Sequence, residues 1–371
     1  MKNLDKQKKE IVVRLLRELI NQDEARVLVP AYDSKPGYWF GGGNLLADED
    51  GVLWLCGRYR NAGDARTGLM KGERGLECAV FRSDDGARSF HKIHSWSKAD
   101  LSRKGRVVLS IEGTALGRLP DGRVELFIST EKERLYPTPF ASYQKPGTGV
   151  WSIDRMIGDS VEGLDPATLE PVLENRDRPE YLHVKDPVVL DGASRGTILL
   201  FCSHPFTWAS ANTGLAVRAP GSERFEVQSW ELASRGPAWD VASTRVTGRL
   251  GIPKLGILAD EKPCSVYFYD GCECVRPLEE SQEAHKRPRG YSCEEIGGAL
   301  FGWDDDFPEW ERLSSLEPLF VSPRGTGCSR YVDVLKTPEW LLATWQQSQP
   351  DRSQPLVGHV VSMNDVRRIL E

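Results

Sequence analysis

Three acidic residues stand at the head of β-rich segments and could do acid–base chemistry together. They are Glu112 in Ile111-Glu112-Gly113-Thr114, Asp186 in Val184-Lys185-Asp186-Pro187 and Asp240 in Trp239-Asp240-Val241. Breaking a glycosidic bond needs two carboxylates, one as acid and one as base or nucleophile, and a third often tunes their pKa. A lone acid at a strand start often only caps a turn or closes a salt bridge, but three at the same place in successive units point to function. Arginines crowd the same segments: Arg58 and Arg60 in Gly-Arg-Tyr-Arg, Arg245, Arg289, and Arg330 beside Tyr331. Guanidinium forks grip carboxylates bidentately, which suggests an anionic sugar such as a sialic or uronic acid. An equally economical reading is that they neutralise the acids just named. His183 and His204 could bind a hydroxyl or act as an acid, although a satisfied structural histidine is the simpler role for either. Trp39, Trp151, Trp208, Trp239 and Tyr331 could stack on sugar rings or fill the core.

These residues need a scaffold that repeats. From Tyr38 onward the chain returns to one plan: a short polar signature, a β-rich segment, a turn and a second β-rich segment. The units open at Asn44, Glu112, Asp186, Asp240 and Arg330, with spacings of 68, 74, 54 and 90 residues. Asp50-Gly51 and Pro120-Asp121-Gly122 between apolar runs are hairpin turns, because Asp and Gly tolerate positive φ. Third and fourth strands follow at 76–82 with 90–95, 149–157, 214–218 with 225–232, and 298–303 with 310–313. Four strands repeated five times make an all-β, five-bladed β-propeller; a sixth blade in the long fourth unit is the alternative. The last unit lacks an outer strand, and Arg26–Val29 could supply it and close the ring. Residues 1–25 read as an amphipathic helix, from Ile11, Val12, Leu15, Leu16, Leu19 and Ile20 at helical spacing, and 26–371 as one propeller domain.

In a propeller the inner strands start at one rim of the central channel, and the loops from second to third strand emerge on that face. Those loops are the long polar ones here, at 60–75, 131–148, 204–213 and 271–293, and long loops are more often functional than decorative. Signatures and loops therefore point to one active face.

Composition excludes much else. A net charge of −6 gives no footprint for nucleic acid. The first 24 residues hold no apolar run long enough for a signal peptide or a membrane span, so a cytoplasmic protein is expected. Eight cysteines are too few for a disulfide scaffold, and Cys272 and Cys274 have no second pair at zinc spacing. No cofactor or catalytic metal is expected; a structural Ca²⁺ in the channel is conceivable, although no ligand loop is visible. P-loop, dinucleotide-binding, nucleophile-elbow and His-Glu-x-x-His patterns are absent.

The chain resembles the propeller glycosidases. Val184-Lys185-Asp186-Pro187 is similar to the Asp-Pro signatures of arabinanases, β-xylosidases, invertases and mannoside phosphorylases, five-bladed enzymes with one carboxylate per early blade. Ile111-Glu112-Gly113 resembles the Glu signature of a neighbouring blade. Arabinanases carry Asp, Asp and Glu in blades one to three, whereas blade one here offers Asn44. The turn from Ser83 to Phe90 resembles the Asp-box of sialidases, with Asp85 capping turn amides and Phe90 in place of the usual Trp. Sialidases use three arginines and a Tyr nucleophile, a part that Tyr331 or Tyr291 could play. The resemblance implies an exo-acting glycoside hydrolase on an oligosaccharide or glycoside, with Glu112 as general acid, Asp186 as partner carboxylate and Asp240 tuning pKa. Asn44, Arg58, Arg60, His204, Arg245, Arg289, Tyr291, Arg330 and Tyr331 are the expected substrate binders. The alternatives are a non-catalytic carbohydrate-binding propeller and a polysaccharide lyase with His204 or a Tyr as base.

Overall fold

The computed structural model describes residues 4–61, 75–273 and 295–371. Five antiparallel sheets of four strands each, blade one having its inner strand broken in two, succeed one another as a five-bladed propeller. The inner strands are Trp39–Gly41 with Leu45–Ala47, Val108–Arg118, His183–Asp191, Ser243–Gly251 and Ser329–Lys336. Blade five is completed by Arg26–Val29, which pairs antiparallel with Leu356–Ser362 through Arg26 to Gly358 and Val27 to Val357. First and last segments thus share one sheet, and the ring cannot open without breaking that pairing.

The 90-residue interval holds one blade, not two. Its inner strand begins at Ser243, three residues after Asp240, and residues 254–258 hold the short 3₁₀ turn Gly256–Leu258. Blade two has an outer strand, Asp165–Leu173, which the sequence pattern does not announce because most of its residues are exposed or half-buried. A C-terminal helix, Met363–Leu370, also goes beyond the sequence reading. Ser362 caps it by accepting from the Asp365 amide at 3.1 Å.

The N-terminal helix, Lys6–Leu19, starts where the Asp5 carboxylate accepts from the Lys8 amide at 2.9 Å. Val12, Leu15, Leu16 and Leu19 fall on one stripe and are fully buried. They join Phe268, Phe301, Leu341 and Trp345 of blades four and five and Val366 and Leu370 of the C-terminal helix. Each such aliphatic side chain contributes roughly 1.5–3 kcal/mol on burial. No described helix is long and apolar enough to cross a membrane.

One irregularity recurs and matters for chemistry. The pairing of inner with second strand slips between Ile111 and Thr114, Lys185 and Val188, Val246 and Gly248, and Arg330 and Asp333. Blade one breaks its inner strand between Gly41 and Leu45. A bulge re-aims side chains that a regular ladder would leave alternating across the sheet. Gly42, Asp186 and Tyr331 take left-handed φ values of 72°, 54° and 54° at these slips. That backbone costs nothing at Gly but is strained at the other two. Gly42, Gly113, Asp186, Thr247 and Tyr331, one from each blade, meet around the neck of the channel.

Candidate active site

The face where inner strands begin is built by pairs such as Trp39 with Arg60, His183 with His204 and Ser329 with Gln347. Just below it lies a buried cluster of charge. Glu112 receives Arg58 through one oxygen, with Nε at 3.0 Å and Nη2 at 2.8 Å from Oε2. Burial alone would raise its pKa, but Arg58, Lys185 and Arg60 outweigh it and bring the carboxyl down to about 2. Asp186 is held at both oxygens. Oδ1 accepts from the Gly113 amide at 3.0 Å and the Tyr331 hydroxyl at 3.4 Å, and Arg245 lies 3.2 Å from Oδ2.

Arg245 is the hub. Besides Asp186 it pairs with Asp270 at 2.7 Å and Glu295 at 3.1 Å, and its guanidinium lies 4.2 Å from the centre of the Tyr331 ring. Arg330 also pairs with Glu295 and packs 4.5 Å from the Trp39 ring, with Arg60 4.0 Å from the same ring. Burial pushes Asp270 up to about 6 despite Arg245, whereas Arg245 and Arg330 overcome burial at Glu295 and hold it well below the usual carboxylate range. Burial raises the Tyr331 phenol well above its ordinary value, so it keeps its proton. Arg58, Arg60, Lys185, Arg245 and Arg330 thus face Glu112, Asp186, Asp270 and Glu295.

The structure therefore brings together Glu112, Asp186, Arg58, Arg60, Arg245, Arg330 and Tyr331. It sets three of the expected residues apart. The Asp240 carboxylate accepts from Tyr269 at 2.8 Å and pairs with Arg312, between strands of blade four and away from Asp186. The Asn44 amide bridges to blade two, accepting from the Leu116 amide at 2.7 Å and donating to its carbonyl at 3.0 Å, so it ties two blades together. His204 has both ring nitrogens engaged, Nδ1 with the Ser210 carbonyl at 2.8 Å and Nε2 with the Cys202 thiol at 3.4 Å. Burial and the nearby Lys185 hold its pKa well below normal, so the ring is a weak base whose free nitrogen already meets the Cys202 thiol, which disfavours it as a lyase base. His183 is likewise spent, on Tyr136 and the Trp151 amide, and burial lowers it to about 3. Arg289 and Tyr291 lie outside the described residues.

Three members of the site went unassigned in the sequence: Lys185, Asp270 and Glu295. Lys185 stands inside the quoted Asp-Pro signature, and Asp270 interrupts the apolar run 266–269, a signal available to a reader who knew that run to be a second strand. Alternation allows one of Glu294 and Glu295 to face the site; Glu295 does so. Among the described residues no group of three or more His, Cys, Asp or Glu could hold a metal ion. At the turn after the third strand of blade one, Asp85 accepts from the Ser89 amide at 3.0 Å and the Ser83 hydroxyl at 2.8 Å, which is a structural task.

No protein-family model and no curated protein matches the chain. Solved structures do match across nearly its whole length. One is a glycoside hydrolase, 12% identical, with a TM-score of 0.63 over 96% of each chain. Another is an α-L-arabinofuranosidase from Lactobacillus brevis, 10% identical, with a TM-score of 0.53 over 93% of each chain. A third is an endo-arabinase from Bacteroides thetaiotaomicron, 10% identical, with a TM-score of 0.51 over 91% of this chain and 97% of that one. At such identity the likeness is one of fold: the chain is a five-bladed propeller of the kind that these glycoside hydrolases share.

Proposed function

We propose that the chain is a glycoside hydrolase working at the mouth of the propeller channel. The observation that carries this reading is the placement of Glu112 and Asp186 on bulges of adjacent inner strands, within one buried cluster of charge that holds Arg58, Lys185 and Arg245. The fold it shares with glycoside hydrolases supports the same reading. The electrostatics give Glu112 a role opposite to the one the sequence suggests. Glu112, drawn down to about 2, is the ionised member, and acts as base on water or as nucleophile at the anomeric carbon. Asp186 is the partner that gives a proton to the departing glycosidic oxygen, its Oδ1 positioned by the Gly113 amide and the Tyr331 hydroxyl. With side chains only 8% and 4% exposed, the two carboxylates are reached more easily by a chain end than by the middle of a polymer, which favours exo action.

The test is hydrolysis of an aryl-glycoside panel by wild type, Glu112→Gln and Asp186→Asn. Glu112→Gln should be inactive on every leaving group. Asp186→Asn should retain activity on dinitrophenyl glycosides, whose leaving group needs no proton, and lose it on methyl glycosides. A second reading, a sugar-binding propeller without catalysis, draws on the contacts at both Asp186 oxygens; binding without turnover of any glycoside would select it.

A further inference from the structure

Lys185 is bonded more loosely than Arg58, Arg245 or Arg330. Among the described residues its only ion pair is with Asp186 Oδ2 at 3.6 Å, and no hydrogen bond reaches Nζ. Charge-assisted hydrogen bonds close to about 2.7–2.9 Å, as Arg58 does on Glu112 at 2.8 Å and Arg245 on Asp270 at 2.7 Å. The ammonium lies between two indoles, 5.5 Å from the Trp151 ring and 5.6 Å from Trp208. Its side chain keeps 12% of its surface open, more than Glu112 at 8% or Asp186 at 4%. Although burial opposes it, Asp186 and Glu112 keep the group charged.

Trp208 is held in place ahead of any ligand. Its φ of 56° is a region that bulky residues rarely enter. The ring stacks on His183 at 4.2 Å and leans on His204 at 4.5 Å. Strain of this kind persists where surrounding contacts over-determine it, which is common at ligand sites. Trp151 is buried whereas Trp208 is half-buried, so Trp208 is the indole with surface left to offer.

We propose that Lys185 is the residue that recognises an acidic sugar, its Nζ donating to the carboxylate of a uronic or sialic acid whose ring lies against Trp208. This rests on the reading of the mouth as a sugar site. It differs from the expectation that arginines read the anion, because Arg58, Arg245 and Arg330 are already paired with the site's own acids. A sugar hydroxyl accepts one hydrogen bond from Nζ and carries no charge; a carboxylate takes two of its three donors and meets the ammonium with an opposite charge.

The test is calorimetric binding at pH 7 of glucuronate, galacturonate and N-acetylneuraminate against glucose and galactose, with wild type, Lys185→Met and Lys185→Arg. At least one acid should bind wild type ten-fold or more tightly than the neutral sugars, and less tightly in high salt. Lys185→Met should lose the preference and Lys185→Arg should keep part of it. The wild-type preference and its salt dependence are readable even if a variant fails to fold. Neutral sugars bound as well as acids, no acid bound at all, or a preference surviving in Lys185→Met would overturn the proposal. Binding of an acid without turnover of its glycosides removes the hydrolase reading and leaves Lys185 in its role. Turnover of neutral glycosides that Lys185→Met leaves intact does the reverse.

Discussion

Arg58 grips Glu112 through a single carboxylate oxygen: Nε and Nη2 both reach Oε2, and among the described residues Oε1 accepts from nothing. The pair therefore fixes the charge of the carboxylate while leaving one oxygen for chemistry. Replacing Arg58 by Met should cost about 3–5 kcal/mol of stability above pH 5, since a buried carboxylate would lose its main partner. The sign with pH follows from a folded pKa of about 2 against 4.5 in the open chain. The ion pair contributes fully above 4.5 and its contribution fades as pH falls toward 2. The acid limb of kcat/KM should accordingly move to higher pH in Arg58→Met. An unmoved limb, in a variant that still folds, would mean that Glu112 is not the ionised group the reaction needs.

Gly113 explains how Asp186 is placed. A Cβ there would lie 2.5 Å from Asp186 Oδ1 and 2.9 Å from its Cα, closer than real contacts allow. Because one of those atoms is backbone, Ala cannot be absorbed by a rotamer change. Gly113→Ala should cost about 1–3 kcal/mol and lower kcat/KM by roughly 100-fold, the penalty expected for a displacement near 1 Å. Full activity in a folded Gly113→Ala protein would remove Asp186 from the reaction.

The ring was legible in the sequence because its hairpins announce themselves. Asp50-Gly51 and Asp121-Gly122 mark where first strand turns into second, and both glycines take positive φ, 81° and 90°. The closing strand was legible because the last unit came up one strand short. The site was legible only where motif and bulge coincide. Glu112 lies four residues inside its inner strand and Asp186 three, each on a slip in pairing, whereas Asp240 precedes its strand by three. Side-chain direction depends on that register, since one residue's shift moves a side chain to the other face. A similar acidic motif therefore ends in a different place, and Asp270, from the neighbouring strand, meets Arg245 instead. The arginines were visible as a crowd, but which acid each would meet depends on strands far apart in the chain.

Asp240 makes that point testable. Its carboxylate is completely buried, with Tyr269 and Arg312 as partners. Burial raises its pKa against the pull of Arg312, as for an acid whose task is to hold blade four together. Arg312→Met should lower stability by about 3–5 kcal/mol through the stranded charge. The kcat/KM of the folded fraction should match wild type. A kinetic defect larger than the loss of folded protein would return Asp240 to the catalytic set.

Asp333 should leave a signature in the pH dependence of stability that runs opposite to that of Glu112. It sits on the inner strand of blade five, where its Oδ2 accepts from the Leu45 amide at 2.8 Å and so ties blade five to blade one. Burial pushes its pKa up to about 6, and the backbone hydrogen bonds from Leu45 and Val334 only partly offset this. No cation pairs with it among the described residues, in contrast to Glu112. A folded pKa above the open-chain 3.8 means that the native protein holds this proton more tightly. Its share of stability is therefore full below pH 3.8 and is lost as pH rises through 6. Asn at this position keeps an oxygen for the Leu45 amide but cannot ionise. In urea denaturation, the stability of Asp333→Asn relative to wild type should be more favourable at pH 7.5 than at pH 4.5. An identical difference at the two pH values would show that the carboxyl titrates in the folded protein as it does in the open chain. The tie between blades five and one would then be carried by an acid that solvent or an unseen cation keeps ionised.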